Sequence, residues 1–185
     1  MRQLRAFTSV SLDGYFSDAT NDMSWAHRHD DEWNAFTSSN AGGDGALLFG
    51  RVTYEMMKAF WPTPQAAQML PEVARAMNVM PKYVVSRTLG AADWENTRVL
   101  DRDLITDVQA LKSTDGPDVV ILGSGSIVSQ LTEARLIDEY QFVLTPVVLG
   151  KGRTPFQTVQ GTRTFSLQKT KSFKNGNVVL WYEPA

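Results

Sequence analysis

The stretch "ALLFGRVTYE" (residues 46–55) changes character at Gly50. Before it lies a short apolar run, "GALLFG" (45–50), which is bounded by glycines and is typical of a strand buried on both faces. After it, apolar residues recur at helical spacing as far as Phe60. The junction has two interpretations. Either Gly50 makes the turn and Arg51 is solvated, or the first N–H groups of the helix, together with Arg51, hold an anion.

The composition limits the classes of protein to which the chain can belong. It has 185 residues, of which 43% are hydrophobic, enough for one sizeable core, so we expect a single domain over residues 1–185. The net charge of −2 provides no basic field to hold nucleic acid or an anionic membrane surface. Cysteine is absent, which excludes disulfides, thiolate metal sites and a cysteine nucleophile. No segment approaches about eighteen consecutive apolar residues and the start has no signal-peptide pattern, so we expect a cytoplasmic protein.

Strand-like and helix-like segments alternate along most of the chain. Helices separate the strands as far as about residue 137, and long strands then follow one another directly. The last two, "TFSLQKTKSF" and "NVVLWYE", are joined through Asn175-Gly176, a strong hairpin signal. Residues 62–81, with four prolines, are interpreted as a loop and a short helix, and Asp101 as the cap of the helix that begins near Leu104. This order predicts an α/β fold with a largely parallel sheet, helices on its faces and an antiparallel hairpin at one edge.

Three predicted strand ends combine glycine, hydroxyl and arginine residues: Gly50-Arg51-Val52-Thr53, Ser86-Arg87-Thr88 and Gly123-Ser124-Gly125-Ser126. In such sheets, ligands bind outside the carboxyl ends of the strands, where helix N-termini also lie. Taken singly, each segment has an ordinary interpretation, as a tight turn or as a solvated arginine. Together they place two arginines and two helix N-termini on one rim, which suits a diphosphate and an additional phosphate. The additional phosphate separates NADPH from NADH, so the pattern favours NADPH. Neither the dinucleotide fingerprint with three glycines nor the phosphate-binding loop with Lys-Ser/Thr is present.

Five segments resemble, in the same order, motifs of the dihydrofolate-reductase-like fold: "SLDG", "FGRVTYE", "VVSRTL", "LGSGSIVSQL" and "DEYQFVLTPVVLGKGRTPF". The closest resemblance is to the reductase domain of the bifunctional riboflavin-biosynthesis deaminase-reductase and its stand-alone relatives, over residues 3–183. It implies a three-layer α/β/α fold, NADPH as cofactor, and hydride transfer to a heterocycle or to the sugar carbon of a ribosylamine. It also implies a homodimer, which agrees with apolar side chains on both faces of the last strands, where no further helix follows to cover them.

The resemblance implies roles for residues at the three strand ends. The first segment matches positions that contact the diphosphate and 2′-phosphate of the cofactor, and the second matches the end that holds the 2′-phosphate and adenosine. The third matches the glycine turn and helix start under the diphosphate, although many relatives have adjacent glycines where this chain has Gly123-Ser124. The implied cofactor-binding residues are Gly50, Arg51, Thr53, Ser86, Arg87, Thr88, Gly123, Ser124, Gly125, Ser126 and Ile127.

Asp30 is the first candidate for the catalytic acid. It is predicted in the first turn of a helix, on the same face as Trp33, which should point toward the core. A carboxyl that holds a reducible ring, or relays a proton to the ring nitrogen, assists hydride transfer. The resemblance adds Trp25 as a substrate contact, since a Met-x-Trp precedes the acid at this interval, and Thr154 as a hydrogen-bond partner of the acid. Asp13, in "SLDG", is the rival acid near the nicotinamide side.

Two classes of function remain open from the sequence. The first is an NADPH-dependent reductase of a small pteridine- or pyrimidine-like substrate, and the second is an NADPH-binding module without turnover, a sensor or scaffold. They differ in whether a proton donor faces the nicotinamide. A flavin-dependent reductase ranks third, because a flavin-type mixed barrel would not end its helix-separated strands in this way. No metal is expected, since His27 and His29 have no third ligand type near them and are interpreted as solvated.

Overall fold

The structure, a computed structural model, describes residues 1–28, 30–41 and 45–185. The strands are β1 (Leu4–Ser11), β2 (Ser17–Asp18), β3 (Ala46–Gly50), β4 (Lys82–Val85), β5 (Thr97–Leu100), β6 (Val119–Leu122), β7 (Glu139–Thr145), β8 (Gly152–Arg153), β9 (Phe165–Ser172) and β10 (Val178–Pro184). The α-helices are α1 (Asp31–Ala41), α2 (Arg51–Phe60), α3 (Pro64–Met69), α4 (Pro71–Val79), α5 (Leu104–Ser113) and α6 (Gly125–Glu133), and Ser24–Ala26 form a 3₁₀ turn. No helix within the described ranges is both long and apolar enough to cross a bilayer.

The main sheet of the described residues has eight strands in the order β5-β4-β3-β6-β1-β7-β10-β9. From β5 to β7 all neighbouring strands are parallel, whereas β10 is antiparallel to both β7 and β9. The register sets Leu48 of β3 opposite Ile121 of β6, and Ile121 opposite Ala6 of β1. The two-residue strands β2 and β8 form a separate pair. The predicted α/β fold, with a mostly parallel sheet and a C-terminal antiparallel hairpin, is confirmed.

Helices cover both faces of the parallel part of the sheet. On one face, Val108 of α5 and Leu131 of α6 belong to the same buried cluster as Leu48 of β3. On the other face, α2 and α4 pack around Phe49, and Trp33 of α1 packs beside them in a further cluster. The apolar run of β3 is buried on both sides as a result, which is why it shows no alternation of polar and apolar residues. The arrangement is the predicted three-layer α/β/α fold.

The C-terminal hairpin closes one edge of the sheet, with β9 outermost and mostly exposed. The Lys169 ammonium lies 5.1 Å from the centre of the Trp181 ring, and charged lysines on an edge strand discourage pairing with another strand. A register shift separates Trp181 from Tyr182. The Trp181 ring contacts Phe36 of α1, and Tyr182 packs against the core cluster of α5 and α6. Both aromatic residues are therefore partly covered within one chain.

Residues 62–81 form two helices, where the sequence predicted a loop and a short helix. Thr63 caps α3, because its hydroxyl accepts the Ala66 N–H at 3.2 Å. Pro64 and Pro71 are the first residues of α3 and α4. A proline is favourable at that position because its missing N–H has no partner inside the helix. Two of the prolines interpreted as loop formers are therefore helix starters.

The sequence reasoning also missed β5 and misplaced the cap of α5. β5 has only four residues, which is too short for apolar periodicity to identify. Asp103, not Asp101, caps α5, and its Oδ2 accepts the Thr106 N–H at 3.0 Å. A capping residue stands directly before the first helical residue, which here is Leu104, so a carboxylate at position 101 is too far upstream to cap it.

Candidate functional site

The carboxyl ends of β3, β4, β5 and β6 meet at one edge of the sheet, because these parallel strands are neighbours. The three segments identified in the sequence therefore come together, and a cleft of ≈ 370 Å³ opens there. Its lining residues are Gly50, Arg51, Val85, Arg87, Leu100, Arg102, Leu104, Ser126, Ile127 and Gln130. Half of these residues are among the cofactor-binding residues that the resemblance implies.

Three arginines line this cleft. Arg51, at the start of α2, pairs with Glu55 one turn later, with 3.1 Å between Nη1 and Oε1. Arg87 follows β4 and is exposed. Arg102 follows β5 and is held by Asp107 of α5. The sequence reasoning missed Arg102, because the strand before it, "TRVL", is too short and too polar to be recognised. The three guanidinium groups make the cleft suited to a ligand with several negative charges.

Of the three helices that begin at the cleft, α2 and α6 have no side-chain cap. Gly50, before α2, has no side chain to cap the helix, and the hydroxyl of Ser124, before α6, makes no capping hydrogen bond. By contrast, α3 and α5 are capped by Thr63 and Asp103. The first N–H groups of an uncapped helix lack an intrahelical partner, and the helix dipole adds positive potential there. The ends of α2 and α6 can therefore bind phosphate oxygens through their backbone.

Ser124 ties the two helix starts together. Its hydroxyl accepts the Gly50 N–H at 2.9 Å and donates to Thr53 Oγ1 at 3.0 Å. Both Gly123 (φ +58°) and Ser124 (φ 50°, ψ 52°) adopt the left-handed conformation, and the peptide between them is trans. The left-handed region is open to glycine but costs a residue with a side chain about 1 kcal/mol. Thr53, Gly123 and Ser124 thus shape the cleft from beneath and do not line it.

The remaining predicted cofactor residues also shape the turns around the cleft. Ser86 is buried, and its hydroxyl accepts the N–H groups of Thr88 and Leu89 at 3.2 and 3.0 Å, which closes a turn after β4. Thr88 is exposed on that turn. At Gly125, a methyl group would lie 2.2 Å from the Phe16 ring, so only glycine allows this ring to pack against the first turn of α6.

Asp30 lies just before α1, and not in its first turn as the sequence predicted. Its Oδ1 accepts the Trp33 N–H at 2.7 Å, so Asp30 caps the helix. Its Oδ2 accepts the N–H of Asn175, in the turn between β9 and β10, at 2.8 Å. Asp30 lines a second cleft, of ≈ 350 Å³, together with Arg28, Lys174 and Asn175. The carboxylate therefore joins the start of α1 to the C-terminal hairpin.

The two side chains expected beside Asp30 lie elsewhere in their loops. Trp25 is half-buried in the 3₁₀ turn, where its Nε1–H donates to the Asp22 carbonyl at 3.2 Å. Thr154 is exposed, and within the described residues it makes no hydrogen bond to Asp30. The expected contact between Thr154 and the acid is thus missing. The segment "GKGRTPF" that suggested it pairs instead with the loop after β1, through β8 and β2.

Asp13 links the turn after β1 to the loop after β7. Its carboxylate accepts the Ser11 hydroxyl at 2.6 Å and the N–H groups of Gly150 and Leu149 at 2.7 and 3.2 Å. The hydrogen bond from Ser11, followed by those from the backbone, lowers the pKa of Asp13 below its ordinary value. Asp13 is therefore ionised at neutral pH, where it accepts hydrogen bonds and has no proton to donate.

The two histidines bear on the question of a metal. His27 is exposed, and His29 lies outside the described residues. Across the part of the chain that the structure describes, no group of three or more His, Cys, Asp or Glu side chains is placed to hold a metal ion.

Comparison with known proteins identifies the family. The sequence profile described as the RibD C-terminal domain matches residues 2–180. The chain belongs to this family. A curated relative is the uncharacterised protein YyaP of Bacillus subtilis (strain 168), which is 26% identical over 174 residues, covering 94% of this chain and 90% of the relative. The match confirms the resemblance to riboflavin-type reductases that the five sequence motifs suggested.

Two solved structures share the fold of this RibD C-terminal domain. A protein of Shewanella sp. PV-4 assigned to riboflavin biosynthesis has a TM-score of 0.74 at 19% identity, with 99% of both chains covered. The diaminohydroxyphosphoribosylaminopyrimidine deaminase/5-amino-6-(5-phosphoribosylamino)uracil reductase of Thermotoga maritima has a TM-score of 0.72 at 15% identity, covering all of this chain and 57% of that one. These neighbours confirm the dihydrofolate-reductase-like fold, and the family indicates a reductase-like oxidoreductase.

Proposed function

We propose that this RibD C-terminal domain is an NADPH-dependent reductase that transfers hydride to a small pteridine- or pyrimidine-like substrate. The observation that supports it is the cleft at the carboxyl ends of β3 to β6, where three arginines and two uncapped helix N-termini converge. A diphosphate fits the helix N-termini, and an additional phosphate monoester fits the guanidinium groups. This donor set matches NADPH better than NADH, because NADH lacks the 2′-phosphate that the guanidinium groups would bind.

Each part of the cleft has a task in holding the cofactor. The N–H groups at the starts of α2 and α6 would bind the diphosphate, and Arg51 and Arg87 would pair with the 2′-phosphate. Ser124 and Thr53 would keep the two helix starts at a fixed separation, because their hydroxyls bridge the ends of β3 and β6. NADPH, when bound, supplies the hydride. The protein supplies orientation and a site from which water is partly excluded.

Asp30 is the residue that we assign to the substrate. Each of its oxygens accepts one backbone N–H and keeps a further lone pair, so the carboxylate can also accept an N–H from a heterocyclic ring. Such a bond would orient the ring for hydride transfer and favour its protonated form. We place Trp25 on the same side, since its 3₁₀ turn belongs to the segment that leads into Asp30.

The alternative is an NADPH-binding module without turnover, and one observation favours it. Both candidate acids accept hydrogen bonds from the protein, and Asp13 has a lowered pKa, so neither is arranged as a proton donor. Under the reductase proposal, the proton then comes from solvent or from the substrate. Under the alternative, no substrate accepts the hydride at all.

The two proposals are separated by binding and turnover measurements. Calorimetric titration of the wild type should give tighter binding of NADPH than of NADH, and removing Arg51 and Arg87 should weaken NADPH binding by about 1.5–3 kcal/mol each. Arg75→Ala is the matched control, because Arg75 forms an exposed pair with Glu72 on α4 and does not line the cleft. Equal affinity of the wild type for both cofactors would overturn the cofactor proposal. NADPH oxidation should then be followed with dihydrofolate and riboflavin-pathway pyrimidines, and binding without oxidation would favour the alternative.

We also propose a homodimer that works in the cytoplasm, where NADPH is available. The hairpin end of the sheet supports the assembly, since Leu167 of β9 is 52% exposed. Because Trp181 and Tyr182 are partly covered within one chain, the contact would use the exposed side chains on the face of β9, and not strand pairing along its lysine-bearing edge.

A further inference from the structure

Arg102 differs from the other two arginines of the cleft in how it is held. Its Nε donates to Asp107 Oδ1 at 2.8 Å, and its Nη2 lies 2.6 Å from the same oxygen. The backbone N–H of Arg102 donates to Asp107 Oδ2 at 3.2 Å. One carboxylate therefore fixes both the main chain and the side chain of Arg102. The guanidinium is still 63% exposed, and no described residue bonds its Nη1, so the outer edge formed by Nη1 and the second Nη2–H is left for a ligand.

Asp107 lies in the first turn of α5, where the helix dipole favours a carboxylate. Its side chain is only 3% exposed, and among the described residues both oxygens accept hydrogen bonds from Arg102 alone. Burying a carboxylate is costly, and a partner that is itself largely exposed offsets little of that cost. The helix dipole favours an exposed carboxylate as well, so it does not explain why this one is buried. The burial is well explained if the task of Asp107 is to hold a cation in one orientation.

Arg51 provides the contrast within the same cleft. It pairs with Glu55 along one helix, and both side chains are about half exposed, so the pair contributes little order. A guanidinium whose conformation is fixed before binding loses less entropy when it pairs with a phosphate, and it presents its fork at a defined angle. Of the arginines at the cleft, Arg102 thus has the geometry that discriminates between ligands.

We propose that Arg102, positioned by Asp107, is a third determinant, beside Arg51 and Arg87, of the preference for a ligand with a phosphate monoester on its adenosine ribose. This inference rests on the proposed function, since it names a residue pair that helps to select NADPH over NADH at the same cleft. Arg102 binds the phosphate directly. Asp107 is a positioning residue that acts through Arg102, and its negative charge by itself opposes anion binding.

Removing the Asp107 charge should by itself raise NADPH affinity, whereas losing the positioning of Arg102 should lower it. The direction of the change in Asp107→Asn therefore tests the positioning role. Isothermal titration with NADPH and NADH would compare the wild type with Arg102→Gln, Arg102→Lys, Asp107→Asn and Asp103→Asn. Arg102→Gln should lower NADPH affinity about tenfold or more and change NADH affinity less than about twofold. Asp107→Asn should lower NADPH affinity about fivefold, although it removes a negative charge beside the cleft. Arg102→Lys keeps the charge without the fork and should fall between Arg102→Gln and the wild type.

Asp103→Asn is the matched control for charge. It removes the carboxylate of Asp103, four positions before Asp107, while Arg102 keeps its partner Asp107. The cap of α5 is also kept, because asparagine caps a helix as well as aspartate does. This variant should bind NADPH as tightly as the wild type or slightly more tightly. An increase in NADPH affinity in Asp107→Asn as well would overturn the positioning role.

NADH affinity also reports on folding, because a variant that fails to fold loses both cofactors. If Asp107→Asn does not fold, the two Arg102 variants still decide the assignment. Equal losses for NADH and NADPH in folded Arg102→Gln would assign Arg102 to the diphosphate and overturn the inference, while the proposed function stands. A wild type without preference for NADPH overturns both.

Discussion

Replacing Ser124 by glycine should destabilise the protein less than replacing it by alanine. Ser124 has φ 50° and ψ 52°, a left-handed conformation that glycine adopts freely and alanine does not. Its hydroxyl accepts the Gly50 N–H and donates to Thr53, and both variants lose these two bonds. The difference between the variants therefore isolates the cost of the backbone conformation at the start of α6.

The expected magnitudes follow from these contacts. Losing two partly buried hydrogen bonds lowers the free energy of unfolding by about 2 kcal/mol, at about 1 kcal/mol each. Alanine keeps the left-handed cost, whereas glycine removes about 1 kcal/mol of it. We expect a loss of about 2 kcal/mol in Ser124→Ala and of about 1 kcal/mol in Ser124→Gly.

Urea denaturation followed by tryptophan fluorescence measures this difference, and Ser126 supplies the control. Ser126 is exposed within α6 and has no positive φ, so Ser126→Gly should be less stable than Ser126→Ala by about 0.5 kcal/mol. The order of glycine and alanine should thus reverse between two positions of one turn. If Ser124→Ala is as stable as Ser124→Gly, the left-handed backbone conformation at position 124 does not lower the free energy of unfolding, and the reasoning is refuted. Titration with NADPH should show a similar loss of affinity in Ser124→Gly and Ser124→Ala, because both lose the hydroxyl that holds the starts of α2 and α6 together.

Three further predictions concern catalysis, pH and assembly. Asp30→Asn keeps a helix cap but removes a charge from the substrate side, so we expect normal NADPH binding and a turnover lower by roughly two to four decades in the oxidation assay; unchanged turnover would move the role to Asp13 or to no side chain. Burial lowers the pKa of Lys82 to about 8, while its ammonium donates to the carbonyls of Met77, Asn78 and Met80. Because the folded pKa lies below the unfolded value, the unfolded chain binds more protons between about pH 8 and about pH 10.5, and the free energy of unfolding should rise with pH there. Urea titrations at several pH values should show this rise in the wild type and not in Lys82→Met, and parallel pH profiles would contradict it. Light scattering at micromolar concentration should give the mass of two chains, and the mass of one chain would refute the homodimer.

Local sequence signals were sufficient for the layers and for most of the cleft. The apolar run that stops at Gly50 predicts both the buried strand and the helix after it, because burial on both faces and helical spacing are properties of adjacent residues. Asn175-Gly176 predicts the hairpin for the same reason. Once the sheet is known to be parallel, the carboxyl ends of its strands must lie at one edge, so Arg51 and Arg87 could be grouped without coordinates.

Only the tertiary structure decided which strand lies beside which and what holds each site residue. β5 is too short for periodicity, so Arg102 entered the cleft only when the strand order placed β5 next to β4. Asp30 was identified as a candidate from its neighbours, but its second partner, Asn175, lies 145 residues away along the chain. Contacts of that separation form when packing brings two elements together, and no spacing in the sequence records them. Sequence periodicity thus determined which segments form strands and helices, and packing determined which of their polar ends meet.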